Sequence, residues 1–119
     1  MRRLALAALL APALALAHHG HIEYAEEITV LEGFVSKPMR PFPHWEMSIR
    51  VDGEDWVIDL GNSYEMRNAG LREDGSDFTV GQPITVEGHR AADEDWRRIL
   101  PEVIEANGER YEFDIDIYD

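Results

Sequence analysis

The chain has 119 residues, no cysteine, 24 acidic side chains against 11 basic ones, and a formal net charge of −13. That length fits one domain, and the missing cysteine excludes a disulfide framework and thiolate chemistry. A field this acidic repels nucleic acid and anionic membrane surfaces and attracts cations, although acidity also serves solubility alone.

Residues Met1 to Ala17 read as a cleaved secretion signal. Met1-Arg2-Arg3 is a basic start, Leu4 to Leu16 is an apolar run, and Ala15-Leu16-Ala17 is a small-x-small end. The run is shorter than the roughly 20 residues a membrane-spanning helix needs, and no second apolar stretch follows it. The expectation is a periplasmic or secreted protein. Its mature part keeps 102 residues and, without Arg2 and Arg3, carries a formal charge of −15.

His18 to Glu27 is polar and reads as a loose, histidine-rich arm ahead of a single domain over 28–119. Ile28 to Val35 is rich in β-branched and apolar residues and predicts a strand, with Gly33 marking a bulge or bend. Lys37 to Pro43 holds Pro38, Pro41 and Pro43 and predicts a rigid extended loop. In His44 to Val51, Trp45, Met47, Ile49 and Val51 alternate with His44, Glu46, Ser48 and Arg50, the first set inward. Asp52-Gly53 signals a hairpin, and Trp56, Ile58 and Leu60 point inward from its partner strand.

A short helix follows, capped by Asn62 or Ser63 and ended by Gly70, then a polar, turn-rich stretch over Leu71 to Thr79. Pro83 to Arg90 alternates again, with Ile84 and Val86 inward and Thr85, Glu87 and His89 outward. Arg98 to Glu105 is apolar, Asn107-Gly108 is a strong turn signal, and Tyr111, Phe113, Ile115 and Ile117 alternate with acidic residues. The order is three strands, one short helix, then two or three strands. That predicts an all-β fold: a small antiparallel OB-like barrel of five to six strands, with the helix between the third and fourth. A plain β-sandwich is the alternative.

Chemistry concentrates at the new N-terminus, His18-His19-Gly20-His21. Short histidine-rich tracts bind metals. If His18 comes first, its α-amine and its ring nitrogen chelate one ion, and the amine's ordinary pKa of about 8 makes its proton easy to displace. One further imidazole completes a three-nitrogen, T-shaped site of the kind copper(II) favours. His44, placed by the stiff Pro41-Phe42-Pro43 segment, is the candidate third ligand, and His89 is the second candidate. Cleavage after Ala15 would instead put His18 third and create an amino-terminal copper motif with no need of His44.

No nucleophile elbow, zinc-protease motif or phosphate loop is present. Asp74-Gly75-Ser76-Asp77 and Asp93-Glu94-Asp95 do not match a calcium loop and read as solvated turns. Trp45 and Trp56 read as core, and Trp96 as an open turn residue.

Ala17-His18-His19, Pro43-His44-Trp45 and Asp55-Trp56-Val57-Ile58-Asp59-Leu60-Gly61, with Gly81 through Gly88 and Asn107-Gly108, form a pattern over nearly the whole mature chain. It resembles a family of small exported bacterial proteins of unknown function. Members begin Ala-His-His-Ser and carry Asn-Pro-His before the second strand. Here Gly20 stands for the serine and Phe42 for the asparagine. The resemblance implies export, a small β-barrel and no assigned activity.

Three functions follow in order. The first is metal binding, for copper buffering or delivery, through His18 and His44 with His19, His21 or His89. The second is a module that binds a protein or small ligand without metal. The third is an oxidative copper enzyme of the histidine-brace kind, which lacks a visible substrate platform.

Overall fold

Residues 22–41 and 43–115 are described in the computed structural model. Within them β1 (Thr29–Arg40), β2 (Trp45–Val51) and β3 (Glu54–Gly61) form a meander. A short helix α1 (Ser63–Asn68) follows, then β4 (Pro83–Arg90), β5 (Arg98–Ala106) and β6 (Glu109–Glu112). β1 is antiparallel to both β2 and β4, and β4 is antiparallel to β5. A short parallel pairing of Val57 with Arg98 and Ile58 with Ile99 closes the ring. This is the five-stranded OB-type barrel the pattern predicts. β6 is an added strand antiparallel to β5, on the β5 edge that β3 leaves free beyond Ile99.

The elements follow from local chemistry. Asp52-Gly53 and Asn107-Gly108 all take positive φ, the backbone of the tight hairpin turns that join β2 to β3 and β5 to β6. Asn62 caps α1 in a capping box: its side chain accepts from the Glu65 N–H, and Glu65 accepts from the Asn62 N–H. Gly33 and Gly88 sit where strands cross closely. A Cβ would stand 2.0 Å from the Arg50 carbonyl oxygen at Gly33 and 2.2 Å from that of Leu100 at Gly88.

The inward rows of β2 and β3 meet in the core: Met47, Ile49 and Ile58 are fully buried, with Leu60, Val35, Val86, Ile99 and Ile104 around them. Trp45 packs against this core and its indole N–H donates to Ser63 Oγ at 3.0 Å, tying α1 to the start of β2.

Four expectations change. β1 runs on through Lys37 and Pro38 to Arg40 rather than yielding to a loop at Lys37. Register shifts lie on both sides of Lys37 in its pairing with β2, and its ladder with β4 stops at Phe34. Pro38 therefore sits on an irregular edge, where a missing N–H is tolerated. Ser48 has outward parity yet is buried beneath Arg40, whose guanidinium donates to Ser48 Oγ at 3.3 Å. The turn-rich stretch before β4 contributes Leu71 and Phe78 to the core, Phe78 meeting the Tyr111 ring edge-on at 5.4 Å. The arm is not loose where it is described. Tyr24 bridges Ala91, the Ala25 N–H donates to Arg90, and the Ala92 N–H donates to Glu23.

Candidate functional site

The arm crosses onto the outer face of β2 and β3. Glu46 and Asp59, both of outward parity, are direct partners across that hairpin. Two adjacent carboxylates repel unless a cation lies between them. Arg98, the first residue of β5, supplies it: its guanidinium pairs with Glu46 and lies 3.8 Å from Asp59. Arg40 reaches Glu46 from β1 at 3.4 Å.

Tyr24 joins this network from above. Its hydroxyl donates to Asp59 Oδ2 at 3.2 Å and accepts from Arg98 Nε at 3.3 Å. Burial, followed by the negative charge of Asp59, pushes the Tyr24 phenol up to about 12, against the opposing pull of Arg98. Burial alone would lower the Arg98 guanidinium, but its hydrogen bonds with Glu46 and Tyr24 outweigh that and raise it. The network fastens the N-terminal segment to the barrel through charge-assisted hydrogen bonds.

The predicted ligands separate into three groups. His18, His19 and His21 lie outside the described residues. His44 is exposed just before β2, two residues before Glu46. His89, expected on an outward surface, is instead buried at 7 % exposure. Its Nδ1 meets the Ala25 carbonyl oxygen at 2.7 Å and its Nε2 contacts the Glu102 carboxylate. Both ring nitrogens are therefore engaged within the fold, and His89 has none to offer a metal.

The arm covers the ring from one side, and a β-bulge brings Glu102 against it from the other. Glu87 pairs with Val103 and Gly88 with Pro101, so Glu102 is an extra residue on β5. A bulge re-aims its side chain and breaks simple alternation. The Glu102 carbonyl accepts from the Phe113 N–H at 2.9 Å, so the chain beyond β6 holds the bulge in place.

Among the described residues no group of three or more His, Asp or Glu side chains is arranged to hold a metal ion. No helix among them is long and apolar enough to cross a membrane. No family model, curated protein or solved structure matches the chain.

The sequence reading missed Tyr24, Glu46, Asp59 and Arg98 as a unit. The available signal was the facing parity of Glu46 and Asp59, which demanded a cation, and one tyrosine in an otherwise polar arm.

Proposed function

We propose that the chain is an exported metal-binding barrel, with copper(II) held between the mature N-terminal histidines and His44. Support comes from one observation: Tyr24 is pinned over the outer β2–β3 face, and exposed His44 immediately precedes β2. His44 is two residues before Glu46, at most about 7 Å of extended chain, and Glu46 is paired with the Asp59 that holds Tyr24. His18 is six residues before Tyr24 and His21 three, so extended chain reaches at most about 21 Å and about 10 Å. Both lengths suit a ligand set shared between arm and barrel.

The amine and ring of His18 would form the chelate and His44 would add a third nitrogen, with His19 and His21 as further donors. Such a nitrogen-rich set favours copper(II). The acidic charge of the whole chain raises the local concentration of cations. In barrels of this topology the β2–β3 face, flanked by the β1–β2 and β4–β5 loops, is a common ligand platform; this is a fold-level analogy.

The test is a calorimetric copper(II) titration of the protein beginning at His18, beside the same protein with one alanine added before His18. Tight one-to-one binding that the alanine abolishes is expected. Binding indifferent to the alanine removes the amine chelate and the reading with it.

A second reading, a metal-free protein-binding module, is favoured by the apolar row Ile28, Val30 and Phe34, exposed on the outer side of β1 and its approach. It expects a partner whose binding ignores both copper and the added alanine.

A further inference from the structure

We infer that His89 and Glu102 form a proton-dependent latch that holds the N-terminal arm on the barrel. The latch rests on the metal reading for its purpose, because the arm carries His18, His19 and His21; its geometry stands apart from any metal.

The imidazole lies between two acceptors. One is the Ala25 carbonyl oxygen, 2.7 Å from Nδ1, and the other is the Glu102 carboxylate at Nε2. A backbone carbonyl only accepts, so Nδ1 must carry a proton. An ionised carboxylate also only accepts, so Nε2 must carry one too. The arrangement is complete only when the ring is an imidazolium, or when Glu102 itself carries the shared proton. Loss of that proton leaves a nitrogen lone pair facing an oxygen lone pair in a buried place, where an unmade hydrogen bond is expensive. A turn of the ring's tautomer moves the defect from Glu102 to Ala25 without curing it.

Among the described residues no recorded contact brings the ring a substitute donor. The arm brings Glu23, Tyr24, Glu26 and Glu27 around Ala25, and the Tyr24 hydroxyl is committed to Asp59. β4 brings Glu87 and Arg90. The Arg90 guanidinium donates to the Glu94 and Ala91 carbonyls and lies 5.0 Å over the Trp56 ring. β5 brings Glu102 itself, and the chain leaving β6 brings Glu112 and the Phe113 N–H that fixes the bulge.

The position of the latch gives it leverage. Ala25 lies between the Tyr24 bridge and β1, so its carbonyl ties the arm to the bulge of β5 shortly before Thr29 joins β4. Protonated, His89 draws this carbonyl onto the bulge of β5. Deprotonated, it weakens the docking of the described arm around Glu23 to Ala25, the stretch that follows the proposed ligands in the chain. His89 is thus a positioning residue for the arm.

The experiment is NMR on the metal-free protein. Nitrogen shifts of the His89 ring report its protonation, and hydrogen-exchange protection factors of Ala25 and Ala92, both donors in the arm pairing, report docking. As the nitrogen shifts show the ring losing its second proton with rising pH, protection should fall about tenfold, the worth of one charge-assisted hydrogen bond. Glu102→Gln should flatten that profile, because an amide accepts from a protonated nitrogen and donates to a bare one. Glu102 is partly exposed, so this variant leaves the core intact. A flat profile in the unmodified protein overturns the latch, whether the ring titrates silently or keeps its proton. So does a Glu102→Gln profile that follows the unmodified one. Copper titration of the same samples separates the two proposals. Binding with a flat profile leaves the metal site and removes the latch, and a pH-dependent arm that binds no copper does the reverse.

Discussion

Tyr24→Phe removes a single oxygen from the arm and tests whether the network on the β2–β3 face holds that arm down. The hydroxyl makes two hydrogen bonds to charged groups, Asp59 and Arg98. Neither partner is orphaned by its loss: Asp59 Oδ1 still accepts from the Gly61 N–H at 3.0 Å, and Arg98 keeps Glu46. The cost is therefore about 1–1.5 kcal/mol, at the low end for hydrogen bonds to charged groups. Urea unfolding at neutral pH should show a lower midpoint with an unchanged slope.

The pH dependence gives a second handle on the same group. The Tyr24 phenol is raised from 10.0 to about 12 in the folded protein. The folded state thus favours the neutral phenol. That contribution is complete below pH 10 and is lost as the pH rises through about 12. Two pH units correspond to at most about 2.7 kcal/mol; the ring is only partly buried, and solvent screening reduces this to about 1 kcal/mol. The stability gap between the unmodified protein and Tyr24→Phe should therefore be full near pH 8, shrink between pH 10 and about 12, and be mostly gone beyond that. No gap at neutral pH, or a gap unchanged across that range, would refute the assigned network.

Two further outcomes test the barrel itself. Gly88→Ala drives a methyl to 2.2 Å from the Leu100 carbonyl oxygen, so the strands must separate; about 3 kcal/mol of stability is lost, read as a lower melting temperature, and an unchanged melt contradicts the close crossing. Met47→Ala empties a fully buried position between β1 and β3 and should cost about 2–4 kcal/mol in denaturant unfolding, whereas a cost under about 1 kcal/mol would place Met47 outside the core.

The strands were legible because alternation is a direct record of which face is buried. Met47 and Ile49 on β2, and Trp56, Ile58 and Leu60 on β3, all lie in the core as their parity requires. The turns were legible because Asp52-Gly53 and Asn107-Gly108 tolerate the positive φ that tight hairpins demand. Parity failed where the ladder itself is irregular. The register shift opposite Gly88 inserts Glu102 beside His89, and the arm lies over the same ring, so an apparent surface ligand is a buried hinge of the arm. Shifts around Lys37 let a proline-bearing segment continue β1. Bulges leave little trace in composition, because they depend on which residues oppose each other across a strand.

The proposed N-terminal ligands were legible in a different way. Their residue types are plain in His18-His19-Gly20-His21, but the contact that fastens the arm at Tyr24 is not. The anchor is assembled from four distant stretches, through Tyr24, Glu46, Asp59 and Arg98. Sequence separation between Tyr24 and Arg98 hides the pairing, and neither charge pattern nor periodicity brings them together.

The most direct measurement on the proposed metal site is copper(II) affinity for the protein beginning at His18 compared with its His44→Ala variant, with nitrogen coupling followed by electron paramagnetic resonance. His44 is exposed and outside the core, so the variant should fold normally. A fall in affinity of about tenfold or more with the loss of one ring nitrogen from the spectrum is the expected result. Equal affinity and an identical spectrum would contradict a site shared between arm and barrel, and would confine any copper to the arm alone.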